Sequence, residues 1–126
     1  MFKQLFLVFL GGGLGSICRF LISKIGENNQ DVFPYKTLIV NVLGSFIIGL
    51  VLGYALKTES QNQNLILFLA VGFCGGFTTF STFAFENFKF LKSAAYLPML
   101  TYSLSSLILT LLFVVFGVFL SKFITH

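Results

Sequence analysis

Four apolar runs, each near or above the length needed to cross a bilayer, decide what this chain can fold into. They cover residues 4–23, 37–56, 65–88 and 97–121. A helix of about 20 apolar residues spans the ~30 Å of hydrocarbon, and inside lipid a helix satisfies its own backbone polar groups. The fold class that follows is an all-α integral membrane protein with four transmembrane helices. Composition agrees: 56% of residues are hydrophobic and 10% charged, and mean hydropathy is +0.95. A soluble domain carries about 25% charged residues. No repeat and no second domain interrupts residues 1–126, which read as a single four-helix transmembrane domain. The first run has some marks of a cleaved signal peptide, namely Lys3, the stretch 5–10 and the small residues Gly11–Gly13 and Ser16. Its apolar pattern resumes through Leu14, Ile17, Phe20, Leu21 and Ile22, so a retained helix is the better reading.

The connectors are residues 24–36, 57–64 and 89–96. The first holds Gly26, Asn28, Asn29, Asp31 and Pro34 and reads as a loop. The formal charge of +4 comes from lysines beside apolar runs. That is interfacial anchoring to the lipid bilayer, and no nucleic-acid partner is implied. With four spans, Lys3, Lys57 and Lys122 share one side, and Lys24, Lys36, Lys89 and Lys92 share the other, with Arg19 deeper on that second side. Orientation needs a lysine and arginine excess on one side. Here the excess is slight. Insertion in both orientations, hence an antiparallel dimer, and a single weakly biased orientation both remain open on charge alone.

The third run is the unusual one. Residues 72–86 read GFCGGFTTFSTFAFE. Two adjacent glycines loosen a helix and two β-branched threonines follow, so the spacing predicts a break at 75–79. Broken backbone at membrane depth survives where it is buried in protein or lines a cavity or ion site. Phe80, Ser81, Thr82 and Phe83 then put two rings and two hydroxyls within about one turn. Small residues four apart (Gly11 and Gly15; Ser45, Gly49 and Gly53; Gly72 and Gly76) suit close helix packing, a common membrane signal.

Few other polar residues lie within the runs. Arg19, the sole arginine, either snorkels to the interface or supplies a fixed positive charge to an anion vestibule. Asn41 either glues helices or donates its amide protons into a water-filled path. Glu86, the only carboxylate within a run, lies close to Lys89 and suits a capping or vestibule role. Phe80 and Phe83 are by default packing residues among eighteen phenylalanines. The sharper alternative turns their electropositive ring edges towards a small hard anion. Tyr102, Ser106 and Thr110, four apart, form a hydroxyl stripe with Ser103 and Ser105 off its face, though such hydroxyls often bond their own backbone. Cys18 and Cys74 read as small buried thiols, and His126 has no assigned role. No nucleophile, base or cofactor motif appears, and the chain does not read as an enzyme.

Taken together, Gly11–Gly15 with Arg19 and Phe20, residues 37–46 (TLIVNVLGSF) and residues 72–86 closely resemble the Fluc family of fluoride channels over nearly the whole chain. The resemblance implies an antiparallel, dual-topology homodimer in a cell membrane, with bacterial inner membrane the expected location, and two separate fluoride pores. It also implies a structural sodium ion at the dimer centre, held by backbone carbonyls that correspond to Gly75 and Thr78. A β-branched residue at Gly75 is then expected to disfavour the required backbone angles and crowd the axis. The implied pore residues are Phe80, Phe83, Asn41, Arg19, Tyr102, Ser106 and Thr110, with Ser81 and Thr82 beside the rings. Thr110 stands where a serine is usual, and Phe77 fills a variable apolar position. Two rivals are a small dual-topology proton-coupled drug exporter and a non-transporting scaffold subunit. The exporter needs a carboxylate within its first span, and residues 4–23 have none.

Overall fold

The computed structural model describes residues 1–27, 32–58 and 62–124. The expected loop at 28–31, the middle of the second connector and His126 lie outside the described residues. Among the described residues there are four spans: Phe2–Lys24, Tyr35–Lys57, Gln63–Lys92 and Tyr96–Ile124. Each begins where the chain can supply a start. Pro34 precedes the second helix, and Pro98 falls in the first turn of the fourth, where a missing N–H costs nothing. Each also carries lysine in its last turn: Lys24, Lys57, Lys89 with Lys92, and Lys122. Cations there meet the negative end of the helix dipole. Lys57 Nζ bonds the Lys122 carbonyl at 2.6 Å, and Lys36 Nζ bonds the Ser23 carbonyl at 2.9 Å. The third connector is shorter than the run boundaries suggest. It is a tight turn at 93–95 with Ala94 left-handed (φ 57°), and the Ala95 amide returns to the Phe90 carbonyl at 2.8 Å.

The third span is broken, as its sequence predicts, but not where the glycines are. A leading half, residues 63–77, is wound as a π-helix over Ile66–Cys74. A trailing half runs Phe80–Lys92. Between them Thr78 (φ −84°, ψ 158°) and Thr79 (φ −148°, ψ 120°) are extended. Gly75 keeps ordinary helical angles (φ −62°, ψ −39°), which any residue adopts. The expectation that its backbone angles demand glycine is therefore corrected: the β-branched pair departs from the helix and the glycine pair does not.

The glycines act through packing instead. A Cβ on Gly11 or Gly15 would collide with the Phe68 or Phe73 carbonyl oxygen, and one on Gly76 with the Gly12 carbonyl oxygen. The first helix and the leading half thus touch backbone to backbone, the close approach that small-residue spacing allows. Gly49, Gly53 and Gly117 do the same between the second and fourth helices, which share the largest interface. Gly44 admits the methyl of Thr78, so the second helix lies directly against the break. Large apolar side chains on the outer faces are exposed, as lipid-facing residues are.

Candidate functional site

Asn41 closes the break from the second helix. Its Oδ1 accepts from the Thr79 amide at 2.8 Å, and its Nδ2 donates to the Thr79 carbonyl at 3.2 Å. Thr79 Oγ1 accepts from the Thr82 amide at 3.2 Å, capping the trailing half, and donates to Thr82 Oγ1 at 3.1 Å. It also lies 3.3 Å from Ser81 Oγ. One consequence concerns the residues expected to hold sodium. In an unbroken helix the Thr79 amide would bond the Gly75 carbonyl, and the Thr82 amide the Thr78 carbonyl. Both amides are diverted. The carbonyls of Gly75 and Thr78, which the family resemblance implies as ligands, are thus among those the break releases, and neutral carbonyl oxygens suit a hard cation. Gly75 is exposed, with no atom within 4 Å of where its Cβ would be. The residues present therefore fit the ion.

Beside the break lies a cavity of about 440 Å³. Asn41, Gly75, Thr78, Phe80, Phe83, Ser106 and Thr110, all sequence candidates, line it, together with Ser45, Ser103 and Thr79. A second cavity of about 330 Å³ lies on the other flank of Thr79 and is lined by Arg19, Lys36, Thr37 and Thr82. Thr79 belongs to both walls, so the Asn41–Thr79 latch is where the two meet. Phe80 and Phe83 rings lie 5.6 Å apart, and Phe83 lies 5.0 Å from Tyr102. Phe80 is 79% exposed, so within one chain its ring is covered on one side at most.

The hydroxyl stripe is shifted from its expected face. Tyr102 is fully buried and donates to Glu86 Oε1 at 3.0 Å. It stands behind Phe83 and is not in the cavity wall. Ser103, Ser106, Leu107 and Thr110 form the wall instead. Their i, i+3, i+4, i+7 spacing is the signal that a strict four-residue stripe overlooks. Ser45 and Thr79 were also not singled out for this site. Cys74 is buried in the same wall, and Cys18 is half-buried.

Most hydroxyl protons in this wall are already committed. Ser45 donates to the Asn41 carbonyl at 2.7 Å, Thr78 to Cys74 at 2.8 Å and Thr110 to Ser106 at 2.6 Å. Among the described residues, two buried side-chain polar atoms have no partner: Ser106 Oγ and Arg19 Nε. Ser106 lines the first cavity and Arg19 the second.

Residues 6–118 match the family described as CrcB-like protein, Camphor Resistance (CrcB). The chain belongs to that family. Relatives cover it almost end to end. A protein of Azobacteroides pseudotrichonymphae is 40% identical over 124 residues, 98% of this chain and 99% of its own. One of Phocaeicola vulgatus is 42% identical over 122 residues, 95% of this chain and 99% of its own. One of Gloeothece citriformis is 43% identical over 120 residues, 94% and 97% of the two chains. Each is named Fluoride-specific ion channel FluC. The chain is a multi-pass membrane protein, and these relatives are bacterial.

Proposed function

We propose that this protein is a passive, fluoride-selective channel that lets fluoride leave the cell and works as an antiparallel homodimer with two pores. The substrate is supported by the shared name of the full-length relatives. The observation that carries the path is the pair of unpartnered buried donors, Ser106 Oγ and Arg19 Nε. Leaving a buried polar group unpaired costs about 1–3 kcal/mol, so such groups call for a partner that comes and goes. A small anion is such a partner for an N–H and an O–H. In this reading fluoride enters beside Arg19, passes the hydroxyls of Thr82, Ser81 and Thr79, and crosses the Asn41 latch. It then meets the edges of Phe80 and Phe83 and the free hydroxyl of Ser106, with the committed hydroxyl of Thr110 one turn on. Tyr102 acts from behind, backing Phe83 and holding Glu86. Several weak donors in series permit flux where one strong charge would trap the ion. The partner subunit covers Phe80 and the open face at Gly75. A sodium ion on the two-fold axis, held by the Gly75 and Thr78 carbonyls of both subunits, supplies fixed positive charge and joins the halves without being carried.

Efflux from liposomes containing the purified protein, followed with a fluoride electrode and compared with chloride, tests the function. Fluoride should leave far faster than chloride. Absence of fluoride flux would favour the scaffold reading and overturn this one.

A further inference from the structure

Asn87, on the trailing half of the third span, makes two bonds that fix its orientation. Its Nδ2 donates to the Phe83 carbonyl at 3.1 Å, and its Oδ1 accepts from Ser103 Oγ at 3.1 Å. The assignment follows from chemistry. A carbonyl oxygen only accepts, so the amide edge facing Phe83 must be the NH₂, and the oxygen must face Ser103. That oxygen also only accepts, so the single Ser103 proton is spent on it. Ser103 lines the main cavity, one helical turn from Ser106. Of the other committed hydroxyls of the wall, Ser45, Thr78 and Thr110 bond a carbonyl four residues back in their own helix, and Thr79 bonds Thr82 within its own span. Ser103 alone among them turns its proton to a side chain of another helix.

We propose that Asn87 is a specificity-determining residue that holds the Ser103 proton out of the anion path, so that Ser106 meets the ion without a second hydroxyl donor one turn away. The proposal rests on the channel reading above. Two donors at i and i+3 would grip a small anion together, and conduction needs binding weak enough to release. The plain alternative is that Asn87 only joins the trailing half to the fourth helix, as amides in membranes do. Loss of Asn87 is structurally mild, because the Phe83 carbonyl keeps its intrahelical partner, the Asn87 amide.

The two accounts separate in a double-mutant cycle on the full chain in liposomes, reading fluoride efflux against fluoride concentration. With the Ser103 proton released, Asn87→Leu should saturate at about tenfold lower fluoride, the worth of one charge-assisted hydrogen bond. Its maximal rate should fall as well. The double variant should saturate where Ser103→Ala alone does, because no Ser103 proton is left to release. An Asn87→Leu defect that Ser103→Ala does not relieve would mean that Asn87 is glue, and so would saturation unchanged in Asn87→Leu. Either result overturns the proposal while leaving the channel reading intact. A wild-type protein that carries no fluoride overturns both.

Discussion

Ser106 is 8% exposed and its hydroxyl has no partner, which separates its two possible roles cleanly. A hydroxyl kept for stability would have a partner, and removing it would expose the loss. Removing an unpaired one relieves desolvation and is neutral or stabilising. Ser106→Ala should therefore leave thermal stability unchanged or slightly raised while cutting fluoride flux by about tenfold, the worth of one hydrogen bond to an ion. Thermal unfolding in detergent beside liposome efflux checks this, and parallel losses in both would make Ser106 a packing residue. Arg19 Nε poses the same question in the other cavity. Both residues were legible in the sequence because a polar group in an apolar run is costly and therefore conspicuous. What the sequence withheld was which hydroxyls still have a free proton. Thr110 and Ser106 look alike in the sequence, and only backbone geometry distinguishes the committed from the uncommitted.

At the scale of the element, the broken third span depends on one amide from a different helix. Asn41→Leu would strand the amide and the carbonyl of Thr79, at about 1–3 kcal/mol for each buried group. The expected result is a lower unfolding temperature and faster hydrogen exchange at the Thr79 amide. Asn41→Asp, which keeps the acceptor, should lie between the two. If Asn41→Leu melts like the wild type, the latch is not what holds the break. The break was legible from paired glycines and threonines and falls within the expected 75–79, but at the threonines, while Gly75 keeps helical angles. Gly11, Gly15 and Gly76 are needed because backbones touch there, a fact that belongs to the neighbouring helix and not to local propensity. The π-helical stretch Ile66–Cys74 was illegible for another reason. Its nine residues, ILFLAVGFC, are apolar throughout, so no polar face marks the helical period.

Across the whole molecule, the near-even lysine count has a local origin. Each helix carries lysine in its last turn, and successive helices end on opposite sides, so the charges divide almost equally. The excess on one side is slight, so the charge rule alone favours neither orientation strongly. Adding several lysines to one side should force one orientation, and that chain alone should lose flux; full flux from a single-orientation population would rule out the antiparallel dimer. Gly75 gives the more direct test of the assembly. Within one chain it is ordinary helix with open space where a side chain would go, so Gly75→Val has nothing of its own to strike. Gly76→Val, by contrast, would drive its Cβ into the Gly12 carbonyl and should damage the single chain. If Gly75 faces a partner across the sodium, Gly75→Val should keep the folded monomer and lose the dimer and fluoride flux together. The wild type should likewise lose flux when sodium is replaced on both sides by a bulky organic cation. Cross-linking in detergent, read beside efflux with and without sodium, measures all three. A Gly75→Val protein that still dimerises and conducts with unchanged sodium dependence would place the two-fold axis elsewhere.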